Sequence, residues 1–166
     1  MISAFIITAT TLDGFISPIE HTNSMSWTSG SDKEFFKKKT KEAGVIVMGR
    51  TTFETIGKAL PDRKTIVYSS KPIEIEGVET TSLSPKELLE KLEKEGFTEV
   101  AICGGNSIYS MFINSGYVSK LYITLEPVLF GTGIPLFTDI PQTQLELLSS
   151  TPLSQNTLLL EYKITK

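Results

Sequence analysis

The sequence predicts an α/β domain with a mostly parallel central sheet, an antiparallel C-terminal edge and helices on both faces. Two observations lead to this fold class. Apolar, strand-like runs alternate with helical patterns from residue 1 to about residue 125, and strand patterns dominate beyond that point; this order of elements is typical of α/β sheets. The chain has 166 residues, 40% of them hydrophobic, so we expect a single domain, residues 1–166, with a sizeable core.

The chain begins with a predicted strand, a long loop and a helix. The run from Ile2 to Thr10 has no helical period, as expected of a buried strand. The polar segment 14–31 contains proline and glycine and predicts a long loop, a kind of segment that often carries function. The helix that follows runs to about Glu42, and either Ser31 or Asp32 is expected to cap it.

Three strands and a short helix are predicted next. Val45 to Met48 is a continuous apolar run, typical of a central parallel strand, and a short helix follows it up to about Ile56. Lys64 to Ser70 contains a second buried strand, and Val78 to Thr81 predicts a short third one.

The second half of the chain continues the alternation. Ser84-Pro85-x-Glu87 indicates a helix start, with a capping serine and a proline at the first helical position. The elements predicted after this helix are a strand at Glu99–Cys103, a helix after Gly105 that carries Ile108 and Phe112, a strand at Val118–Leu125, shorter strands and turns after Gly133, and a final strand at Leu158–Ile164.

Composition excludes several classes of function. A net charge of −3 predicts no broad basic surface for nucleic acid, and no apolar run approaches the roughly 20 residues that span a bilayer. The apolar start of the chain lacks a basic leader and soon meets Asp13, so it predicts a strand rather than a signal peptide. A single cysteine suits a reducing compartment, and we expect a cytoplasmic protein.

The residue inventory also argues against a metal centre or a hydrolase triad. His21 is the only histidine and Cys103 the only cysteine, so a zinc-type ligand cluster cannot be assembled and no metal is expected. A Ser-His-Asp triad would depend on His21, which we expect to be exposed in a polar loop. Acid–base chemistry is therefore expected from carboxylates or a bound water, and redox chemistry from a cofactor.

Four polar or glycine-rich segments lie where the predicted strands end. They are Thr8–Ser31, Gly49–Thr52, Tyr68–Ser70 and Gly104–Ser107. Because ligands bind α/β sheets beyond the carboxyl ends of the strands, we expect these segments to converge on one site.

Two of these segments have the chemistry of phosphate binding. Gly49-Arg50-Thr51-Thr52 places a cation and two hydroxyls at a helix start, where backbone amides favour an anion. Gly104-Gly105 allows the backbone to approach a phosphate closely. Each motif alone also fits a plain structural role, as a solvated arginine with ordinary caps or as a tight strand-to-helix turn.

Asp32 is the candidate ligand anchor of the long loop. Trp27 precedes it by five residues, and Phe36 and Lys37 follow it one helical turn later. Such a carboxylate is either a helix cap or a group that binds a ligand, and the local pattern leaves both open.

Together these residues resemble the dihydrofolate reductase family over essentially the whole chain. The matching strings are Met1-Ile2-Ser3, Trp27-x4-Asp32-x3-Phe36-Lys37, Val47-Met48-Gly49-Arg50-x-Thr52-Phe53-Glu54-x-Ile56-Gly57-Lys58-x-Leu60-Pro61-x-Arg63, Gly104-Gly105-x-x-x-Tyr109 and Leu121-Tyr122-Ile123-Thr124. The resemblance implies NADPH-dependent reduction of 7,8-dihydrofolate to 5,6,7,8-tetrahydrofolate, and a dihydrofolate reductase-like sheet of about eight strands.

The resemblance also implies which residues meet the substrate. Asp32 corresponds to the family's active-site carboxylate, which pairs with the 2-amino group and a ring nitrogen of the pterin and promotes protonation of N5. Thr124 corresponds to the threonine that hydrogen-bonds this carboxylate, Trp27 is implied as a further catalytic residue, and Arg63 corresponds to the arginine that binds the carboxylate of the folate tail. The other implied substrate-binding residues are Phe5, Ile7, Phe36, Ile56 and Leu60.

A second set of residues is implied to bind NADPH. Arg50, Thr51, Ser69 and Ser70 resemble the contacts to the 2′-phosphate, and the Gly104-Gly105 peptide bond is implied to be cis beside the pyrophosphate. The full implied set is Ile7, Gly49, Arg50, Thr51, Thr52, Tyr68, Ser69, Ser70, Cys103, Gly104, Gly105, Asn106, Ser107, Ile108 and Tyr109.

Two other strings instead resemble the riboflavin-pathway reductases, which share the fold. They are Thr11-Leu12-Asp13-Gly14 and the segment from Leu125 to Phe137. A reductase of a ribosylaminopyrimidinone, or of another pterin, is therefore an alternative, and a non-catalytic nucleotide-binding module is a second one. Arg63 favours dihydrofolate over the pyrimidine. The two groups of relatives leave both a monomer and a homodimer open.

Overall fold

The fold was obtained as a computed structural model that describes residues 1–20 and 24–165. Eight strands form one sheet in the spatial order β5-β4-β3-β6-β1-β7-β10-β9, and β2 pairs separately with β8. The elements are β1 (Ser3–Thr11), β2 (Phe15–Ser17), α1 (Gly30–Ala43), β3 (Val45–Gly49), α2 (Arg50–Ile56), β4 (Lys64–Tyr68), β5 (Val78–Thr81), α3 (Pro85–Lys94), β6 (Glu99–Ile102), α4 (Asn106–Ser115), β7 (Val118–Glu126), β8 (Ile134–Pro135), β9 (Gln144–Pro152) and β10 (Leu158–Thr165). The predicted exposure of His21 lies outside the described residues.

The centre of the large sheet is parallel and its C-terminal edge is antiparallel. β1 lies between β6 and β7 and runs parallel to both, with Ile6 opposite Ile102 and Leu121. β10 pairs antiparallel with β7 on one side and with β9 on the other. The predicted mixed sheet of about eight strands is therefore confirmed.

Successive side chains of β1 point to opposite faces of the sheet, and each face has its own core. Ala4 and Ile6 pack in a cluster with the buried side chains of α3 and α4. Phe5 and Ile7 pack in a second cluster, which includes Phe53 of α2. Helices therefore cover both faces, as predicted, and ligands have access at the ends of the strands.

Leu92 provides a test of the core beneath α3. Its side chain is completely buried beside Leu88 in the first cluster. Leu92→Ala should lower the free energy of unfolding by about 2–5 kcal/mol, because it removes buried apolar surface and leaves a cavity. Chemical denaturation would measure this loss. The control is Leu129→Ala, since Leu129 is 67% exposed and should contribute less than about 0.5 kcal/mol; equal losses would contradict this description of the core.

The predicted cap of the first helix is wrong by two or three residues. α1 begins at Gly30, and its N-cap is Ser29, whose Oγ accepts a hydrogen bond from the Asp32 N–H at 3.2 Å. Ser29 is held in this place because its own N–H and hydroxyl donate to the Glu126 carboxylate. Asp32 therefore lies within the first turn, and its side chain is not the cap.

The C-terminal edge of the sheet is longer than the sequence predicts. β9 has nine residues, in a region where we expected shorter strands and turns. It is the edge strand, it pairs with β10, and nearly all of its residues are exposed. Its apolar residues, Leu145, Leu147 and Leu148, are confined to its first half, and the Ser-Ser-Thr-Pro that follows indicates a turn rather than a long strand.

The predicted loop 14–31 contains some regular structure. β2 pairs antiparallel with β8, with Phe15 opposite Pro135, and a single 3-10 turn spans Ser24–Ser26. Pairing between segments so distant in the chain leaves no local signal in the sequence, so these two short elements were not predicted.

Within residues 1–20 and 24–165, no helix has the length and apolar character needed to cross a membrane. The same residues contain no group of three or more His, Cys, Asp or Glu side chains that could bind a metal ion.

Candidate active site

The carboxyl ends of β1, β3, β4 and β6 open into a cavity of about 820 Å³. All four segments that we expected to converge contribute to its wall. The residues predicted for the site that line this cavity are Ile7, Asp32, Phe36, Gly49, Arg50, Thr51, Thr52, Ile56, Leu60, Arg63, Tyr68, Cys103, Gly104, Gly105, Asn106, Ser107, Ile108 and Tyr109.

Five predicted residues lie behind or beside this lining. Thr124 is buried and donates a hydrogen bond to the Asp32 carboxylate. Phe5 is buried edge-to-face against Tyr122, with ring centroids 5.3 Å apart. Trp27 packs against Phe130, with ring centroids 5.2 Å apart. The Ser69 Oγ accepts a hydrogen bond from Arg50, and Ser70 is exposed.

The environment of Asp32 favours its protonated form. Burial raises the pKa of this carboxyl above the ordinary value for aspartate, and the nearby negative charge of Glu126 raises it further. The hydrogen bond from Thr124 and the charge of Lys33 act in the opposite direction without cancelling the increase. Asp32 therefore holds a proton at higher pH than a solvated aspartate does, which suits a group that supplies protons.

One face of α1 carries a series of groups along the cavity wall. Asp32 and Phe36 are four residues apart, and the buried Thr40 follows four residues later, so the three lie on one face of the helix. The Thr40 hydroxyl donates to the Phe36 carbonyl at 2.6 Å and accepts from Arg63 Nη1 at 2.9 Å. Because a helix rises about 1.5 Å per residue, Thr40 lies roughly 12 Å along the axis from Asp32.

Arg63 is held at the wall by two hydrogen bonds. Besides the bond to Thr40, its Nε donates to the Pro61 carbonyl at 2.9 Å. Partial burial lowers the pKa of Arg63, but a guanidinium stays charged in proteins. Since the apolar side chains of Ile56 and Leu60 line the same cavity, this region combines a hydrophobic wall with one fixed cation.

The turn between β6 and α4 presents backbone to the cavity. The Gly104-Gly105 peptide bond is cis, and the Gly104 carbonyl accepts a hydrogen bond from the Gly49 N–H at 2.8 Å. α4 starts at Asn106 with no side-chain cap. A Cβ on Gly105 would lie 3.2 Å from Thr52 Oγ1, so the glycine keeps open a narrow space beside an uncapped helix start, where an anion is favoured.

Three further side chains define this half of the cavity. Arg50 donates to Glu54 at 2.8 Å and to Ser69 Oγ at 3.0 Å, on the exposed rim. The Tyr68 hydroxyl is buried and has no hydrogen-bond partner among the described residues, and burial raises the pKa of Tyr68 to about 12. Burial likewise raises the pKa of Cys103 to about 12, so Cys103 is a neutral thiol and not a nucleophile.

Sequence reasoning missed Glu126, which is the residue of greatest consequence among those overlooked. It lies two positions after Thr124 on β7, so both side chains point to the same face of the strand, and that spacing is the signal that could have found it. Glu126 does not itself line the cavity. The cavity-lining residues outside the predicted set are Thr8, Ala9, Ile16, Ser17, Ser24, Thr28, Lys33, Lys37, Met48, Thr55, Lys58 and Ile134.

Comparisons with known proteins show the family and agree with the fold. The family model described as dihydrofolate reductase matches residues 3–157. The chain is 35% identical over 122 residues to the dihydrofolate reductase of Buchnera aphidicola subsp. Baizongia pistaciae, covering 72% of this chain and 71% of that protein.

Solved structures give the same result for the fold. The chain is similar to the dihydrofolate reductase from Enterococcus faecalis complexed with NADP(H), with a TM-score of 0.80 and 26% identity, covering 99% of this chain and 97% of that one. It is also similar to a putative riboflavin biosynthesis protein from Shewanella sp. PV-4, with a TM-score of 0.85 and 20% identity, covering 99% of this chain and 100% of that one. At 20% identity the second similarity concerns the fold alone.

Proposed function

This chain belongs to the dihydrofolate reductase family, and we propose that it reduces 7,8-dihydrofolate to 5,6,7,8-tetrahydrofolate with NADPH. The observation that carries this proposal is the order of groups along α1. The Asp32 carboxyl, the Phe36 ring and the Thr40-bound Arg63 guanidinium follow one another over roughly 12 Å of helix. This order suits a ligand with an amidine-like edge, a flat aromatic body and a terminal carboxylate.

Asp32 and Thr124 have the chemistry to recognise the pterin. A carboxylate accepts two parallel N–H bonds from a 2-amino group and the neighbouring ring nitrogen, and such charge-assisted pairs are strong and directional. Thr124 donates to the carboxylate and so fixes its orientation. The raised pKa of Asp32 makes this side chain the proton reservoir for N5, because the other carboxylate beside it, Glu126, is engaged by three donors.

The other half of the cavity fits NADPH. When bound, this cofactor supplies the hydride for the reduction. The space beside Gly105 and the start of α4 would hold the pyrophosphate, and Arg50 would bind the 2′-phosphate. The buried, unpartnered hydroxyl of Tyr68 is a donor suited to a polar atom of the same ligand.

Gly105→Ala tests the pyrophosphate site. The added methyl group would occupy the space next to Thr52 Oγ1, so the dissociation constant for NADPH should rise by roughly 10-fold or more, which corresponds to about 1.4 kcal/mol. Titration calorimetry would measure it. Gly30→Ala is the matched control, because a Cβ on Gly30 meets open space; an equal effect of the two substitutions would contradict this placement.

Turnover tests the proposed reaction as a whole. The protein should oxidise NADPH when dihydrofolate is added and should form tetrahydrofolate in equal amount. Binding of NADPH without reduction of any pterin or pyrimidine would contradict the proposal and favour a nucleotide-binding module.

Reduction of a ribosylaminopyrimidinone is the second candidate, because two strings that resemble the riboflavin-pathway reductases are joined to each other in the fold. The first string contains Asp13, and the second, from Leu125 to Phe137, contains Phe130 and Gly131. The Asp13 carboxylate accepts hydrogen bonds from the Phe130 N–H at 3.2 Å and from the Gly131 N–H at 2.8 Å. Thr11 donates to the same carboxylate at 2.6 Å, and these bonds hold the pKa of Asp13 below its usual range. With a pyrimidine as the preferred substrate, dihydrofolate would remain unreduced.

A further inference from the structure

Glu126 is a buried carboxylate close to the site that the proposed reaction does not use. Its side chain is 2% exposed. One carboxylate oxygen accepts hydrogen bonds from the Ser29 N–H and the Ser29 hydroxyl, both at 2.9 Å, and the other accepts from the Thr157 hydroxyl at 3.3 Å. Three donors around one side chain suit an ionised carboxylate, which acts only as an acceptor.

Ser29 connects Glu126 to Asp32. The Ser29 hydroxyl donates to Glu126 and at the same time accepts from the Asp32 N–H at 3.2 Å. Because Glu126 also binds the Ser29 N–H, the first turn of α1 is tied to the end of β7 at two atoms. Asp32 lies in this turn, so the place of its carboxyl depends on Glu126 through one intervening residue.

Two residues on the same face of β7, Thr124 and Glu126, affect the pKa of Asp32 in opposite directions. Thr124 donates a hydrogen bond to the Asp32 carboxylate, which favours its charged form. Glu126, two residues further on, presents a like charge, which disfavours it. The strand therefore both orients Asp32 and opposes its ionisation.

We propose that Glu126 is a positioning residue of the active site, which fixes the turn carrying Asp32 through Ser29 and holds a second negative charge beside it. The inference rests on the proposed function to the extent that the reaction uses the Asp32 proton. Among the described residues, the other titratable groups that act on Asp32 are Lys33 on α1, whose charge lowers the pKa of Asp32, and Tyr109 on α4, which burial keeps neutral by raising its pKa. Removal of the Glu126 charge should therefore lower the pKa of Asp32.

Glu126→Gln separates the charge from the hydrogen bonds. Glutamine offers an oxygen to Ser29 and an amide donor to Thr157, but it is uncharged. Carbon-13 NMR of labelled aspartate carboxyls would follow Asp32 among the aspartates at 13, 32, 62 and 139, and Asp32→Asn would identify its signal. We expect the pKa of Asp32 to fall, because the like charge of Glu126 that raises it is removed. Glu161→Gln is the control, because Glu161 lies on β10 and pairs with Lys120 of β7, so its loss should not change the titration of Asp32.

Enzyme kinetics provide a readout that a purely structural role would not change. The limb along which kcat/KM falls as pH rises reports the free protein, so it should move to lower pH in Glu126→Gln together with the Asp32 titration. Ser29→Ala keeps both charges, so it should lower kcat/KM without moving this limb. An unchanged pKa of Asp32 in folded Glu126→Gln would overturn the inference.

The NMR measurement needs no turnover, so the two proposals fail separately. A lowered Asp32 pKa without dihydrofolate reduction would overturn the proposed function and support the role of Glu126. If Glu126→Gln does not fold, Ser29→Ala decides, because it removes the hydroxyl that joins Glu126 to the Asp32 N–H. The kcat/KM of this variant should fall, and an unchanged kcat/KM would overturn the inference.

Discussion

Asp32→Asn should lower kcat for dihydrofolate reduction by roughly 100- to 10,000-fold at neutral pH, which is the usual contribution of a positioned acid. Asparagine keeps the shape and an acceptor for Thr124 but cannot supply a proton, and it weakens the charge-assisted pair with the pterin. Steady-state rates with saturating NADPH would measure the loss. The deficit should narrow as pH falls, because hydronium ions in solution then protonate the substrate without Asp32.

Asp139→Asn is the matched control for this substitution. Asp139 is exposed and has a positive φ of 54°, a conformation that asparagine adopts readily. The same chemical change at this position should leave kcat unaltered. A similar loss in both variants, or a loss in Asp32→Asn below about 10-fold, would contradict the role assigned to Asp32.

Asp32→Asn should not lower the stability of the protein without ligands. Burial raises the pKa of Asp32 in the folded protein, so the folded state holds this proton to a higher pH than the unfolded chain does. The stability that Asp32 contributes is therefore lost as pH rises from its pKa in the unfolded chain through its higher pKa in the folded protein. Because asparagine never ionises, the Tm of Asp32→Asn at neutral pH should equal or exceed that of the wild type; a clearly lower Tm in thermal denaturation would contradict this sign.

Arg63→Leu should raise the KM for dihydrofolate by about 10- to 100-fold, because a hydrogen bond between charged groups contributes about 1.5–3 kcal/mol. The guanidinium is already fixed by Thr40 and Pro61, so it can bind a carboxylate without further ordering. A pterin without the glutamate tail serves as the internal control. Its KM should be nearly the same in the two proteins.

Arg63→Lys refines this test. Lysine retains the positive charge but lacks the planar fork that matches a carboxylate, so its KM for dihydrofolate should lie between those of the wild type and Arg63→Leu. Equal changes in KM for the tailed and the tail-less substrates would exclude tail binding by Arg63. Such a result would assign this arginine a structural role at Thr40.

The central sheet was predictable because buried parallel strands have continuous apolar runs. Val45–Gly49 is such a run and forms β3, and the Ser84-Pro85 signal marks the start of α3, where the structure has a complete capping box. The full length of β9 was missed because its second half, Ser149–Pro152, is polar and ends in proline, which indicates a turn. The position of Asp32 at the cavity followed from a family resemblance, not from local pattern.

Glu126 shows what a single sequence does not reveal about a site. Its contacts with Ser29 and Thr157 join three segments that are far apart in the chain, and a lone glutamate at a strand end indicates a solvated side chain by default. The contact between Ser29 and Glu126 also explains why Ser29 is the N-cap of α1. Local rules favoured Ser31 or Asp32, and tertiary hydrogen bonds to β7 decided the outcome.

The most direct test of the proposed function is the ratio of kcat/KM for dihydrofolate to that for a ribosylaminopyrimidinone, measured with NADPH in the same preparation. Both substrates have an amino-substituted ring edge that could pair with Asp32, but dihydrofolate adds the aromatic body and carboxylate that would suit Phe36 and Arg63. We expect the ratio to favour dihydrofolate by at least about 100-fold, as for sites whose fixed polar groups select one partner. A ratio below one would contradict the proposal and assign the protein to pyrimidine reduction.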